Sequence, residues 1–133
     1  MPLVRIHVIK GRRPDELERL LDVIHETVVE SFKVPLTDRY QILHEHAPSH
    51  FRALDTGLEM ERTPNFVLVD LLSRPRTRRT KLSFYKNLTR SLQERCHIEP
   101  SDVMITLLEN SDYDWSFGLG RAQFVTGELG APE

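Results

Sequence analysis

The residue with the most distinctive chemistry is Pro2, which follows Met1 and opens a β-rich run over residues 2–9. Because a small second residue favours removal of the initiator methionine, we expect a chain that begins with a free proline ring nitrogen. That nitrogen is a secondary amine, which no internal residue supplies, and it can act as a nucleophile or as a cationic hydrogen-bond donor. Since the strand begins at once, the sheet is expected to hold the amine in place.

Two arginines flank a proline at a predicted strand-to-helix junction, in the Ser-Arg-Pro-Arg segment 73–76. A helix amino terminus carries free N–H groups and partial positive charge, so Arg74 and Arg76 there are suited to a carboxylate or a phosphate. The alternative is a solvated basic turn that continues into Arg78 and Arg79. Nucleic-acid contact through this short cluster is disfavoured because the chain as a whole is acidic.

Asp38 lies just before the second predicted strand, where it can serve as a general base or orient a carbonyl or a water. Pairing with Arg39 or closing a turn is the structural alternative. His44, His46 and His50 invite a metal hypothesis, but no further ligand is placed beside them, so we expect no metal. No phosphate loop, nucleophile elbow or zinc-protease motif occurs.

The composition predicts one globular domain over residues 1–133. Of the 133 residues, 39% are hydrophobic and 29% charged, and the formal charge of -2 gives no basic field for nucleic acid or an anionic membrane. No apolar run approaches the roughly 20 residues of a membrane span. One cysteine excludes an intrachain disulfide and a multi-cysteine zinc site. We expect a cytoplasmic protein.

Two β-α-β units repeat along the chain, over residues 2–46 and 66–108. Each begins with a strand (2–9 and 66–72), continues into an amphipathic helix (from about 14 to 32, and from 77) and closes with a strand (39–46 and 103–108). A shift of 64 residues superposes the apolar positions of the helices, pairing Leu20 with Phe84, Leu21 with Tyr85, Ile24 with Leu88 and Val28 with Leu92. Leu82 is assigned to the second apolar stripe as well.

The segments outside the repeat are predicted to be irregular. The polar stretch 47–65 is interpreted as a loop with room for a short hairpin, and the tail 109–133 as turns or a hairpin because glycines alternate there with aromatics.

The predicted fold is α/β (α+β), a four-stranded sheet with two helices on one face. The strands at 66–72 and 103–108 are nevertheless apolar at both alternating positions, as strands covered on both sides are. Because the chain offers no further helix, we expect a homo-oligomer in which the open sheet faces meet.

These pieces together resemble the tautomerase superfamily, and within it the malonate semialdehyde decarboxylase family. The resemblance spans nearly the whole chain and is carried by the following residues: Pro2 behind Met1, Asp38 in Asp-Arg-Tyr-Gln, Arg74 and Arg76, Glu109-Asn110-Ser111, Asp114-Trp115-Ser116-Phe117-Gly118 and Thr126-Gly127-Glu128-Leu129. The resemblance implies a homotrimer with the amino-terminal proline at the floor of each active site, acting without a cofactor.

Carried over residue by residue, the resemblance gives each site residue a role. Pro2 is expected to be the catalytic amine, Asp38 the acid that positions or activates a carbonyl or water, and Arg74 and Arg76 the binders of a small carboxylate substrate. The resemblance also implies an apolar wall, formed by Trp115, Phe117, Phe124 and Leu129.

The activity implied is decarboxylation of malonate semialdehyde to acetaldehyde. Hydratase, dehalogenase or tautomerase chemistry on the same scaffold is the nearest alternative. The Glu that chloroacrylate dehalogenases place near the chain end has no clear equivalent at residues 112–115. A non-catalytic trimeric ligand-binding protein is the alternative from another class.

Overall fold

The fold is described from a computed structural model, which covers residues 2–129. Its main elements are β1 (Leu3–Ile9), α1 (Pro14–Phe32), β2 (Gln41–His46), β3 (Val67–Ser73), α2 (Arg78–Cys96), β4 (Val103–Glu109) and the short α3 (Gln123–Thr126). The strands form one sheet in the order β2-β1-β3-β4. The pairs β1–β2 and β3–β4 are parallel, and β1–β3 in the centre is antiparallel.

The structure confirms the predicted duplication. The elements β3 and α2 each begin 64 residues after β1 and α1. Both helices end at a left-handed residue, Lys33 with φ 55° and His97 with φ 56°. That conformation ends a helix by turning the backbone away from the helix axis. Here it directs the segment that follows each helix back towards the sheet.

The core lies between the two helices and one face of the sheet. Alternate residues of the central strands, including Ile6 and Val69, are fully buried there and meet the apolar stripes of both helices. Four of the stripe positions in α1 are buried as predicted: Leu20, Ile24, Val28 and Phe32. In α2 Phe84, Leu88 and Leu92 are buried, but the assignment of Leu82 to the core was wrong, since half of it is exposed.

The opposite face of the sheet has no helix over it in residues 2–129. Large apolar side chains on that face are exposed, including Ile42 at 43%, Met104 at 45% and Leu108 at 67%. A sheet face of this kind is the exposed apolar surface that marks an interaction site. The strand patterns predicted a sheet with both helices on one face and an open apolar face on the other, and the structure confirms this arrangement.

The loop predicted at 47–65 and the turns predicted in the tail are confirmed, whereas within residues 2–129 a hairpin forms in neither segment. The stretch 47–65 contains a 3₁₀ turn (Pro48–His50) and otherwise no regular element. Over residues 109–129 the tail forms a 3₁₀ turn (Asp112–Asp114) and then α3, because Ser111 caps the turn: its hydroxyl accepts from the Tyr113 N–H at 3.3 Å. The part of the hairpin prediction over 130–133 lies outside the described residues. Within residues 2–129 no helix is long and apolar enough to cross a lipid bilayer.

Candidate active site

The register of the sheet brings the predicted site residues to one edge. Leu3 pairs with Leu72 in the antiparallel ladder, so the buried Pro2 lies opposite Ser73, the residue before Arg74. On the other side of β1, the Val4 N–H donates to the carbonyl of Tyr40 at 2.9 Å. The start of the chain therefore lies between the segment that holds Asp38 and the segment that holds the two arginines.

Arg74 is held by a carboxylate and an aromatic ring. Its Nη1 donates to Asp112 Oδ1 at 3.0 Å, and its guanidinium carbon lies 3.7 Å from the centre of the Phe124 ring. The side chain is only 13% exposed. The interpretation of residues 73–76 as a freely solvated basic turn does not hold at Arg74, which is fixed with one face against an apolar ring.

Arg76 is anchored to the end of α1. Its Nη1 donates to the carbonyl of Phe32 at 3.2 Å, and its Nε donates to the Ser73 hydroxyl at 3.3 Å. Its backbone N–H donates to Glu109 Oε2 at 2.8 Å. Burial, with the neighbouring charge of Arg74 adding to it, lowers the pKa of Arg76. Two guanidinium groups this close together concentrate positive charge where an anion can bind.

Asp38 is buried, and it differs in its hydrogen bonds from Asp102, which occupies the equivalent position in the second β-α-β unit. Asp102, 64 residues later, is also buried and accepts from the Thr63 N–H at 2.7 Å and from the Thr63 hydroxyl. The two carboxylate oxygens of Asp38 are likewise buried but have no hydrogen-bond partner in the described part of the chain. Asp102 therefore stabilises a loop, whereas Asp38 is left for another donor.

Burial raises the pKa of Asp38, and the positive charges around it, including His25, Arg76 and Arg74, oppose that rise. Because a buried carboxylate without donors is costly, such a group is usually found where function requires it. His25 lies in the middle of α1, near this carboxylate. It is 5% exposed, and its Nε2 is 2.7 Å from the carbonyl of Leu36, the loop that leads to Asp38.

Three of the four predicted wall residues form one aromatic cluster. Trp115 stacks on Phe117 at 5.3 Å between ring centres, and Phe117 meets the edge of Phe124 at 5.4 Å. Trp115 is itself fixed by a hydrogen bond from its indole N–H to Asn110 Oδ1 at 2.7 Å. The fourth predicted residue, Leu129, is 42% exposed, and its N–H donates to the carbonyl of Gln123 at 3.4 Å. The wall thus reaches Arg74 through Phe124.

Sequence reasoning missed three contributors to this edge. Tyr40 lies against Phe117 with ring centres 5.8 Å apart, Asp112 pairs with Arg74, and Glu109 receives the Arg76 N–H. The register of two parallel strands predicts the position of Glu109, since it pairs with Ser73. No sequence signal marks Asp112, which is separated from its partner by 38 residues.

The histidines take a different arrangement from a metal site. His7, His44 and His46 stack on the open face of the sheet, with His7 Nδ1 2.8 Å from His46 Nε2, and His50 is exposed beyond them. Within residues 2–129 no group of three potential ligands has an arrangement that could hold a metal ion.

The chain is similar to proteins of one enzyme family along its whole length. Two family models, both described as tautomerase enzyme, match residues 38–118 and 2–60. The probable tautomerase YrdN of Bacillus subtilis (strain 168) is 47% identical and aligns with 97% of this chain and 100% of its own.

Two solved malonate semialdehyde decarboxylases have the same fold. One, studied for its decarboxylase and hydratase activities, is 45% identical with a TM-score of 0.93, over 96% of this chain and 98% of its own. The FG41 enzyme, inhibited by 3-bromopropiolate, is 39% identical with a TM-score of 0.93, over 98% of this chain and 99% of its own.

Proposed function

Because the chain belongs to the tautomerase family of enzymes, we propose that it decarboxylates malonate semialdehyde to acetaldehyde and carbon dioxide, using the ring nitrogen of Pro2 and no cofactor. One observation carries the proposal. Arg74 and Arg76 lie with Asp38 at the edge of the sheet where Pro2 lies, and the buried Asp38 carboxylate has no hydrogen-bond partner within residues 2–129. The likeness to two malonate semialdehyde decarboxylases supports the choice of substrate.

The arginines hold the substrate carboxylate in this mechanism. By binding that group they also stabilise the charge that must leave, so they favour the reaction through orientation. They hold the breaking carbon–carbon bond perpendicular to the plane of the aldehyde, where its electrons can flow into the carbonyl. Trp115, Phe117 and Phe124 exclude water from the departing group, and Leu129 completes the wall at its margin.

Pro2 withdraws the electrons by one of two routes. A protonated Pro2 donates a hydrogen bond to the aldehyde oxygen and stabilises the enolate that remains after carbon dioxide leaves. A neutral Pro2 instead attacks the aldehyde and loses water to form an iminium; loss of carbon dioxide then gives an enamine, which takes up a proton and is hydrolysed to acetaldehyde. Both routes need the free amine, so both require removal of Met1.

Asp38 bears on the choice between these routes. Its carboxylate is buried without a partner in residues 2–129, so a protonated Pro2 amine beside it would supply the missing counter-charge. The two arginines act in the opposite direction, since their charge disfavours a second cation nearby. On the hydrogen-bond route, the pair Asp38 and Pro2 act together, with Asp38 keeping the amine protonated.

We also place the enzyme in a homotrimer whose subunits meet through the open faces of their sheets. The exposed apolar residues Ile42, Met104 and Leu108 lie on that face, and burying them gives the association its driving force. Nucleic acid and membrane are not among the proposed partners. The cytoplasmic location stays a prediction.

Hydration or tautomerisation of a small unsaturated or 2-oxo acid is the second candidate function. It is favoured by the similarity to a relative named a probable tautomerase and to a decarboxylase studied for hydratase activity as well. The same groups serve it: the arginines bind the carboxylate, and Pro2 or Asp38 moves the proton.

Product formation from malonate semialdehyde tests the proposal. The wild-type chain, Pro2→Ala, Arg76→Gln and the matched control Arg78→Gln are compared for acetaldehyde release, with a 2-oxo acid and an unsaturated acid as second substrates. We expect kcat/KM to fall at least about 30-fold in the Arg76 variant, since truncating one partner of a buried charge contact costs about 2–5 kcal/mol. Arg78 is exposed, so its variant should match wild type.

The outcomes separate the alternatives. If the wild-type chain releases no acetaldehyde but turns over a second substrate, its activity would be hydration or tautomerisation and not decarboxylation. Binding of the carboxylates without any turnover would indicate a ligand-binding protein.

A further inference from the structure

A second cluster of arginines lies at the far end of α1 from the candidate active site. It surrounds a cavity of about 240 Å³ between the start of α1 and the end of α2. The lining includes Arg12, Arg13, Arg19, Arg95 and the only cysteine, Cys96. Because α1 has 19 residues and rises about 1.5 Å for each, the two sites are roughly 27 Å apart along the helix.

The charges lining this cavity do not cancel. Arg13 pairs with Asp15 and Glu16, which are the two carboxylates of the lining, and Arg95 pairs with Glu26.

The other two arginines of the lining, Arg12 and Arg19, have no such partner. Within residues 2–129 neither forms an ion pair with a carboxylate. Arg12 Nη2 donates to the carbonyl of Asn65 at 2.6 Å, whereas its Nη1 is buried and has no hydrogen-bond partner in the described part of the chain. Burial lowers the pKa of Arg12, as expected for a cation whose compensation is incomplete.

Cys96 lines the same cavity as these arginines. Burial raises the pKa of its thiol, and Arg95, Arg19 and Arg12 are the charges that oppose the rise. A thiol whose pKa is raised is a poor nucleophile, so we assign it no chemistry. Cys96 serves only as a marker for the cavity that Arg12 and Arg19 also line.

We propose that this cavity is a second binding site, for a small anion with a phosphate or carboxylate group held between Arg12 and Arg19. Guanidinium groups form paired, charge-assisted hydrogen bonds with such oxygens. A phosphate or a small dicarboxylate fits within the cavity, which also has room for a short carbon chain. The site is separate from the proposed decarboxylase site and does not rest on that function.

The chain provides a separate reporter for each site. Cys96 lines the cavity, and Trp115, the only tryptophan, belongs to the aromatic cluster beside Arg74. The test follows alkylation of Cys96 by neutral iodoacetamide and the emission of Trp115 during titration with inorganic phosphate, and then with succinate, at constant ionic strength. The alkylation is expected to slow saturably as either anion fills the cavity.

Substitutions locate the binding. Arg19→Gln should weaken the protection of Cys96 at least about tenfold, the factor that corresponds to about 1.4 kcal/mol, and Arg12→Gln should do the same. Arg76→Gln should leave that protection unchanged. The matched control is Arg90→Gln on the exposed face of α2. Because Arg12 also holds the loop at Asn65, Arg19→Gln is the variant that decides the result if Arg12→Gln folds poorly.

Two results would overturn the proposal. One is an alkylation rate that neither anion changes. The other is protection that survives Arg19→Gln but is lost in Arg76→Gln together with the response of Trp115, because the anion would then act from the active site.

Discussion

The guanidinium of Arg74 lies over the ring of Phe124, with 3.7 Å between the guanidinium carbon and the ring centre. The two residues are far apart in sequence, and their contact joins the arginine pair to the aromatic wall. Phe124 is only 7% exposed, so the contact is largely desolvated. The proposed carboxylate site and the proposed water-excluding wall are therefore in direct contact.

Phe124→Leu is expected to loosen Arg74 and weaken substrate binding. A cation–π contact of this kind contributes about 0.5–2 kcal/mol, so KM for malonate semialdehyde should rise roughly 2- to 30-fold while kcat changes less. The neighbouring, half-exposed Val125 supplies the control, Val125→Ala. Steady-state kinetics decide the matter, and an unchanged KM in Phe124→Leu would show that the ring does not position Arg74.

Asp38→Asn is expected to stabilise the protein and abolish its activity. Burial raises the pKa of Asp38, so the folded chain holds this proton more tightly than the unfolded chain does. The stability from that difference is present at acid pH and is lost as pH rises through the folded-state pKa. Because burial outweighs the positive charges around Asp38, the charged carboxylate is destabilising on balance at neutral pH, and the amide should raise Tm by roughly 4 °C for each kcal/mol relieved.

Thermal melts of wild type and Asp38→Asn between acid and neutral pH test this. The control is Asp15→Asn. The hydrogen bond from Arg13 lowers the pKa of the exposed Asp15, so the pH dependence of stability from this group has the opposite sign to that from Asp38. Catalysis should fall at least about 100-fold in Asp38→Asn, the low end of the contribution of a proton-transfer group. A lower Tm for Asp38→Asn at neutral pH would contradict the account.

The exposed sheet face is expected to hold the oligomer together. Met104→Glu places a charge on β4 at a side chain that is 45% exposed in the single chain. Burying that charge between subunits is costly, so the trimer should dissociate towards monomers in light scattering coupled to size exclusion. Leu54→Glu, at an 85% exposed loop position, should remain trimeric. A Met104→Glu protein of unchanged mass would mean that the subunits meet elsewhere.

Acid is expected to destabilise the protein through the histidine stack. Burial, followed by the charges of His44 and His46, lowers the pKa of His7, against the opposing effect of Asp70 and with a small contribution from Arg5. The unfolded chain therefore takes up the proton first as pH falls, so stability is full above the ordinary histidine pKa and is lost below it.

His7→Gln should reduce that loss in melts recorded from pH about 7 to about 5, the range in which an ordinary histidine titrates. The exposed His50 lies outside the stack, so His50→Gln serves as the control. Parallel profiles for wild type and His7→Gln would show that the stack does not set the acid limit.

The repeated β-α-β plan was predictable because two apolar stripes recur with the same spacing, and the end of α1 at Phe32 followed from the first stripe. Leu82 was wrongly assigned to the core because the residue type alone does not indicate whether a leucine beside the apolar stripe faces the core or the solvent. The carboxy-terminal turns depend on the Ser111 cap, a local hydrogen bond that competes with strand pairing. Asp112 became visible only in three dimensions, because its pairing with Arg74 depends on how the tail folds over β3.

The free ring nitrogen of Pro2 is the central claim, and two forms of the same chain test it most directly. One form begins at Pro2 after complete removal of Met1, as verified by intact mass, and the other retains Met1. Carbon-13 NMR then follows labelled malonate semialdehyde with each form. Rapid formation of labelled acetaldehyde by the Pro2 form alone is the predicted result, and equal rates from both forms would contradict it.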